Sequence, residues 1–415
     1  MNMRSEITAA QTADATPAPT APIMSERRVS LIGGLMVAVG PISLALFTPA
    51  MPEIVHAFGT TEAAVKMTLS LYFGGFAFAQ LVCGPLSDGF GRRPITLAFM
   101  AIYLAASVLA LVAPNIETLV VARFLQGVGA AAGVAVSRAV VRDIFTHERS
   151  ARIMNMIGIL LAVGPAIAPT IGGLTMEFFG WHAIFVIMVL IGSIVTLVTF
   201  VALRETVTRD LSRIRPAALL RSYGSLLRSP QFILCCLVIA GTSGAIYTQA
   251  TVLAFILMER VGLTATQFGL GMLMQTANFM AGSFIMRMIM PRYGAARMVP
   301  VGLTFIAIGS IAMAVLLRMH EPTFLLVMGP IGIYAFGIAM VTPAMMTAAL
   351  APFPRNAGAA SAMMGFFQMG AGLVGGTAAA MIGDPVTALA TVVPTMGLIA
   401  VLSWLAWRRL PSLPL

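Results

Sequence analysis

Residues 84–93, GPLSDGFGRR, set Asp88 four positions ahead of Arg92 and five ahead of Arg93, between two long apolar runs. A carboxylate and guanidiniums at that spacing can form charge-assisted, bidentate hydrogen bonds. Gly84 and Gly91 allow a tight turn between closely packed helices, and Asp88 can accept from a helix N-terminus, where the dipole favours negative charge. The chemistry on offer is that of a breakable lock. Asp143, at the end of a later apolar run, is the expected partner of Arg92. A second polar group, Arg123 with Gln126, lies inside an apolar run, and a separation of three puts both on one helix face. A mid-membrane Arg costs ~2.5–3.5 kcal/mol on insertion scales, so Arg123 is expected to face a polar cavity. In the stretch 164–173, GPAIAPTIGG, the small residues Gly164, Gly172 and Gly173 permit close helix approach. Pro165 and Pro169 remove backbone donors and favour bending.

Other polar side chains within apolar runs, Tyr247, Gln249, Gln275, Asn278 and Gln368, are candidates for lining a substrate cavity. The 30 Met and 24 Phe supply a surface able to repack around varied amphiphiles. Arg123 without an acid deep in any run predicts neutral, zwitterionic or weakly anionic cargo. The four His (His56, His147, His182, His320) are scattered between runs, and Cys83, Cys235 and Cys236 lie in apolar runs without metal-ligand spacing, as buried inert thiols do. The chain is expected to be no enzyme, to bind no metal and to need no cofactor.

The elements that position these groups must be membrane helices. Of the 415 residues 59% are hydrophobic and 10% charged, against roughly 25% charged in a soluble domain. The apolar residues fall in about twelve runs between positions 30 and 407. Each is close to the ~20 residues that carry a helix across a ~30 Å hydrocarbon layer, and lipid leaves backbone amides no alternative to helices. The expectation is an all-α membrane protein with twelve transmembrane helices in two six-helix halves around a central cavity. Residues 1–28 read as a disordered cytoplasmic tail, 29–203 as the N-terminal half, 204–230 as a cytoplasmic linker, 231–407 as the C-terminal half and 408–415 as a second tail. With the connections assigned to alternate sides, 21 Arg fall on the side of the N-terminus and only Arg260 and Arg318 opposite. That bias puts both termini in the cytoplasm and accounts for the net charge of +10 without a nucleic-acid partner. RMIMPRYGAAR, 287–297, occupies in the second half the place of 84–93 in the first, as an internal repeat would.

Through Gly84, Leu86, Asp88, Gly91, Arg92 and Arg93, the opening loop resembles the signature G-x-L-x-D-r-x-G-r-r of the major facilitator superfamily. Gly89 departs from it, where the family carries a basic residue. GPAIAPTIGG resembles the antiporter motif G-x-x-x-G-P-x-x-G-G, with Ala168 for its second Gly. RFLQGVGAA (123–131), FTPAMPEI (47–54), LSLY (69–72) and WHAIF (181–185) add to a resemblance to the bicyclomycin and chloramphenicol resistance family of drug:proton antiporters. The resemblance implies export of small amphiphilic drugs or metabolites across a bacterial inner membrane, in exchange for protons, by a chain acting as a monomer. It makes 84–93 with Asp143 a cytoplasmic gate and Arg123 with Gln126 a coupling pair. One position breaks the pattern: the family's acid in the first helix is Ala45 here. Coupling would then fall to Asp88, Asp143 or Glu177, or to the cargo itself. The alternative is a facilitator or exporter of one metabolite with weak or no proton coupling.

Overall fold

The computed structural model describes residues 23–211, 214 and 216–410. Helix α1 (Glu26–Phe47) starts where Ser25 accepts a hydrogen bond from the Arg28 backbone, a side-chain cap that satisfies an otherwise free amide. The helix therefore reaches back into the expected 1–28 tail, of which residues 1–22 lie outside the described residues, as do 411–415 of the second tail. Pro49 and Pro52 break the helix into a short 3₁₀ turn, Thr48–Ala50, and α2, Met51–Phe58.

There follow α3 (Glu62–Phe90), α4 (Arg92–Leu111), α5 (Ile116–Ile144), α6 (His147–Phe179) and α7 (Trp181–Ala202). Helix α8 (Pro216–Leu227) lies within the connection between the halves. Then come α9 (Pro230–Ala250), a π-helical turn Phe255–Arg260, α10 (Ala265–Tyr293), α11 (Ala295–Met319), α12 (Phe324–Leu350), α13 (Ala357–Ile382) and α14 (Pro385–Arg408). Among the described residues ten helical segments are long and apolar enough to cross a membrane. Helices α6 and α10, of 33 and 29 residues, complete the expected twelve.

The two larger hydrophobic cores each gather one set of helices. One is built mainly from α1–α7 around Phe47, Tyr72, Phe76, Tyr103 and Phe185. The other is built from α8–α14 around Phe232, Tyr334 and Trp404. Between them runs a seam of small residues at which backbones nearly touch. A Cβ at Gly173 of α6 would overlap the Ala265 carbonyl of α10, and one at Gly376 of α13 would overlap Ser70 of α3. Such contacts use small residues where hydrocarbon provides no hydrophobic drive between helices.

Candidate functional site

On the face that carries the termini, the cluster is centred on Arg92, the first residue of α4. Gly91 joins α3 directly to α4 with φ +107°, a conformation that L side chains avoid. The bend lays Arg92, 3% exposed, back against the end of α3. Its Nε donates to Asp143 Oδ2 at 2.9 Å and its Nη1 to Ser87 Oγ at 2.7 Å, while Nη1 pairs with Asp88 Oδ1 at 2.5 Å. Asp143 is thus the partner the sequence suggests.

Asp88 does not cap α4. Glu205, in the connection between the halves, takes that role and accepts from the backbone N–H of Arg92 at 2.8 Å and of Arg93 at 3.2 Å. Thr206 donates to Asp143, and Arg93 donates to the Phe200 carbonyl. All of these partners belong to the N-terminal half or to the connection leaving it. The cluster bonds to nothing in the C-terminal half here, because its charges are satisfied by the N-terminal half and the connection leaving it. Gly84 has open space around it, so its position is not sterically required. Gly89, the departure from the signature, is occupied from outside. Asp210 N–H donates to the Gly89 carbonyl at 2.9 Å, and a Cβ there would overlap Ile214.

Arg123 corrects another expectation. Its side chain is fully buried inside the N-terminal half instead of facing an open polar cavity. The guanidinium lies 4.3 Å from the ring centre of Phe47 and 4.5 Å from that of Tyr72, and cation–π attraction strengthens in such desolvated sites. Nη1 donates to Gln126 Oε1 at 2.7 Å, and Gln126 Nε2 donates to Ser107 Oγ at 2.8 Å. Nε and Nη2 have no hydrogen-bond partner. Two aromatic faces and one amide stand where an acid would complete a salt bridge.

The antiporter-like stretch of α6 packs in two directions. Gly164 meets Ile42 and Gly172 meets the Leu46 carbonyl, both of α1, whereas Gly173 meets α10. Gly269 of α10 in turn sits on the Pro169 carbonyl. The Pro165 side chain lies outside the described residues. Of the cavity candidates, Tyr247 and Gln368 come together at the seam, with Gln368 Nε2 3.5 Å from Tyr247 OH and Phe73 5.1 Å from the Tyr247 ring. Gln249 and Gln275 are buried, the latter with an unpartnered Oε1. Asn278 donates to Met274 of its own helix and packs on Gly332. The five do not form one lining.

On the face opposite the termini the halves interlock. Lys66 of α3, fully buried, donates to Glu62 Oε2 at 2.8 Å and across the seam to the Gly383 carbonyl at 2.8 Å. Gly383 turns that carbonyl inward with φ +83°. Glu177 of α6 accepts from the Thr266 N–H of α10 at 3.0 Å, and Thr170 donates to the Gly269 carbonyl at 3.1 Å. In the sequence Lys66 simply lies inside an apolar run. The only signal was a lone Lys one helical turn after Glu62, which says nothing of a partner more than 300 positions away.

The Major Facilitator Superfamily model matches residues 33–376. The chain is 31% identical over 384 residues to the MFS-type transporter YdgK of Bacillus subtilis (strain 168), covering 90% of this chain and 93% of that one. It is 25% identical over 381 residues to a bicyclomycin resistance protein homolog of Haemophilus influenzae, covering 91% and 95%. Its fold resembles that of a bacterial homolog of the human lysosomal transporter Spinster, solved inward-facing and unoccupied. The TM-score is 0.70 at 17% identity, over 92% of this chain and 97% of that one.

Proposed function

This chain belongs to the major facilitator superfamily, and from that premise we propose that it exports small amphiphilic drugs or metabolites by alternating access. Several relatives are named for such roles, a bicyclomycin resistance protein homolog and Multidrug resistance protein D of Escherichia coli among them. The proposed setting is a bacterial inner membrane with both termini cytoplasmic, the chain acting as a monomer. The observation that carries the reading is a seam between two six-helix sets, crossed by discrete polar contacts at both ends. Lys66, Glu177 and Thr170 cross the seam on the face opposite the termini. On the terminal face the Arg92 cluster stays within one half, and Arg138 of α5 reaches α13 through Ser361 at 3.0 Å. Breakable contacts at both ends of such a seam suit two halves that rock against each other, and a fixed pore has no need of them.

Arg123, with two donors unpartnered and no acid beside it, supports neutral, zwitterionic or weakly anionic cargo over permanent cations. Ala45, in a buried turn of α1, favours the second reading, a carrier with weak or no proton coupling. Efflux from energised, exporter-deficient cells loaded with a neutral antibiotic separates them. Uphill efflux that collapses when a protonophore is added supports proton exchange. Equilibration that ignores the protonophore supports the facilitator, and no movement of any neutral or anionic solute overturns both.

A further inference from the structure

The interlock opposite the termini contains a carboxylate with no good partner. Lys66 commits its ammonium to Glu62, to the Gly383 carbonyl and to the face of Phe255, 5.1 Å away. Arg260 turns to Asp384 at 3.4 Å, and Asp384 also caps α14 by accepting from Thr387 N–H at 2.7 Å. Glu259, beyond the spanning part of α9, is left with His56 of α2 at 4.0 Å, a contact at the limit of an ion pair. Its side chain is 32% exposed. The charged or titratable groups facing it are Glu62 and Lys66 from α3, His56 from α2 and its own neighbour Arg260. Glu62 and Glu259 belong to different halves, so two negative charges oppose each other across the seam.

We propose that the Glu259 carboxyl is a proton-binding site built across the seam, and that the proton it takes up from this face holds the two halves shut there. Ionised, Glu259 carries the cost of its partial burial at the closed seam and opposes the Glu62 charge; protonated, it sheds both and leaves the Lys66 contacts intact. Burial first and the Glu62 charge second hold the Glu259 carboxyl above the usual carboxylate range, against the pull of His56, Arg260 and Lys66. A group whose pKa is raised in the closed state stabilises that state when protonated. Closure is therefore strongest in acid and weakens as pH rises through the raised value. The site gives a chain that carries Ala45 in its first helix a place to respond to protons. It rests on the alternating-access reading above.

The test measures the distance between nitroxide labels at Pro114→Cys and Glu321→Cys, both on exposed connections of this face, one in each half. It uses the full chain in lipid nanodiscs, with Cys83, Cys235 and Cys236 replaced by Ala, between pH 5 and pH 8. The expected result is a long-distance population that grows several-fold from pH 5 to pH 8 in the parent. It should stay at its acid level throughout in Glu259→Gln and dominate at every pH in Lys66→Met. A Glu259→Gln chain that keeps the parent's pH response overturns the proposal while leaving alternating access in place. A single unchanged distance in all three chains, Lys66→Met included, overturns alternating access and the proton site with it.

Discussion

Two charged clusters stand at opposite ends of the same helix, and they do different work. Around Arg92, at the C-terminal end of α3, one guanidinium is shared by Asp88, Asp143 and Ser87, and all three lie in the N-terminal half. Around Lys66, near the N-terminal end of α3, the ammonium is divided between its own half and the other. The first cluster carries more charge and shorter contacts, yet in this state it holds only its own half together. The second holds the halves to each other with one ammonium and a carbonyl. Control of opening follows from where a contact's two ends are anchored, and the number of charges does not decide it.

The largest test of that distinction is Arg92→Ala. It leaves Asp143, whose side chain is 14% exposed, with only the Thr206 hydroxyl, and removing one partner of a buried pair costs about 3–5 kcal/mol. A large drop in Tm is expected in detergent, with the nitroxide distances on the opposite face unchanged at fixed pH. An opened face without loss of stability would break the comparison. Gly173→Ala should act on the other side of it. The added methyl meets the Ala265 carbonyl across the seam, and overpacking of that kind costs about 1–3 kcal/mol. The cost falls only on the closed state, so the long-distance population should rise by tenfold or more while Tm moves little. The smallest effect is expected from Gly89→Arg, which restores the family's usual residue. The new side chain must displace Ile214, so trypsin should cut at Arg209 several-fold faster, with stability changed by about 1 kcal/mol or less. Unchanged cleavage would mean that the connection is not seated on Gly89.

The twelve-helix plan was legible because hydrocarbon imposes length and apolarity on every span, and both are visible along the chain. The Arg92–Asp143 pair was legible because the signature brings its own spacing. Glu205 was not. It follows the sixth apolar run like any interfacial acid, and only the turn at Gly91 brings it to the start of α4. Arg123 was recognisable as costly to bury, but its compensation by Phe47 and Tyr72 depends on rings from two other helices. Gly89 read as a missing charge, and the structure gives it a steric reason. The Lys66 interlock was the least legible, since its acceptors are a backbone carbonyl and an aromatic face, and neither leaves a mark in sequence.

The seating of the connection on Gly89 also fixes a length. Ile214 rests against the N-terminal half, and Leu219 packs against the core of the other. They stand five positions apart, and Pro216–Leu219 is the start of α8, so even unwound, at ~3.3–3.6 Å per residue, the link spans about 17 Å. That strap works as a mechanical stop. While both anchors hold, those two points cannot separate by more than that length, so the terminal face opens no further than the strap allows. Shortening the strap would narrow that opening without touching a single residue that meets the cargo.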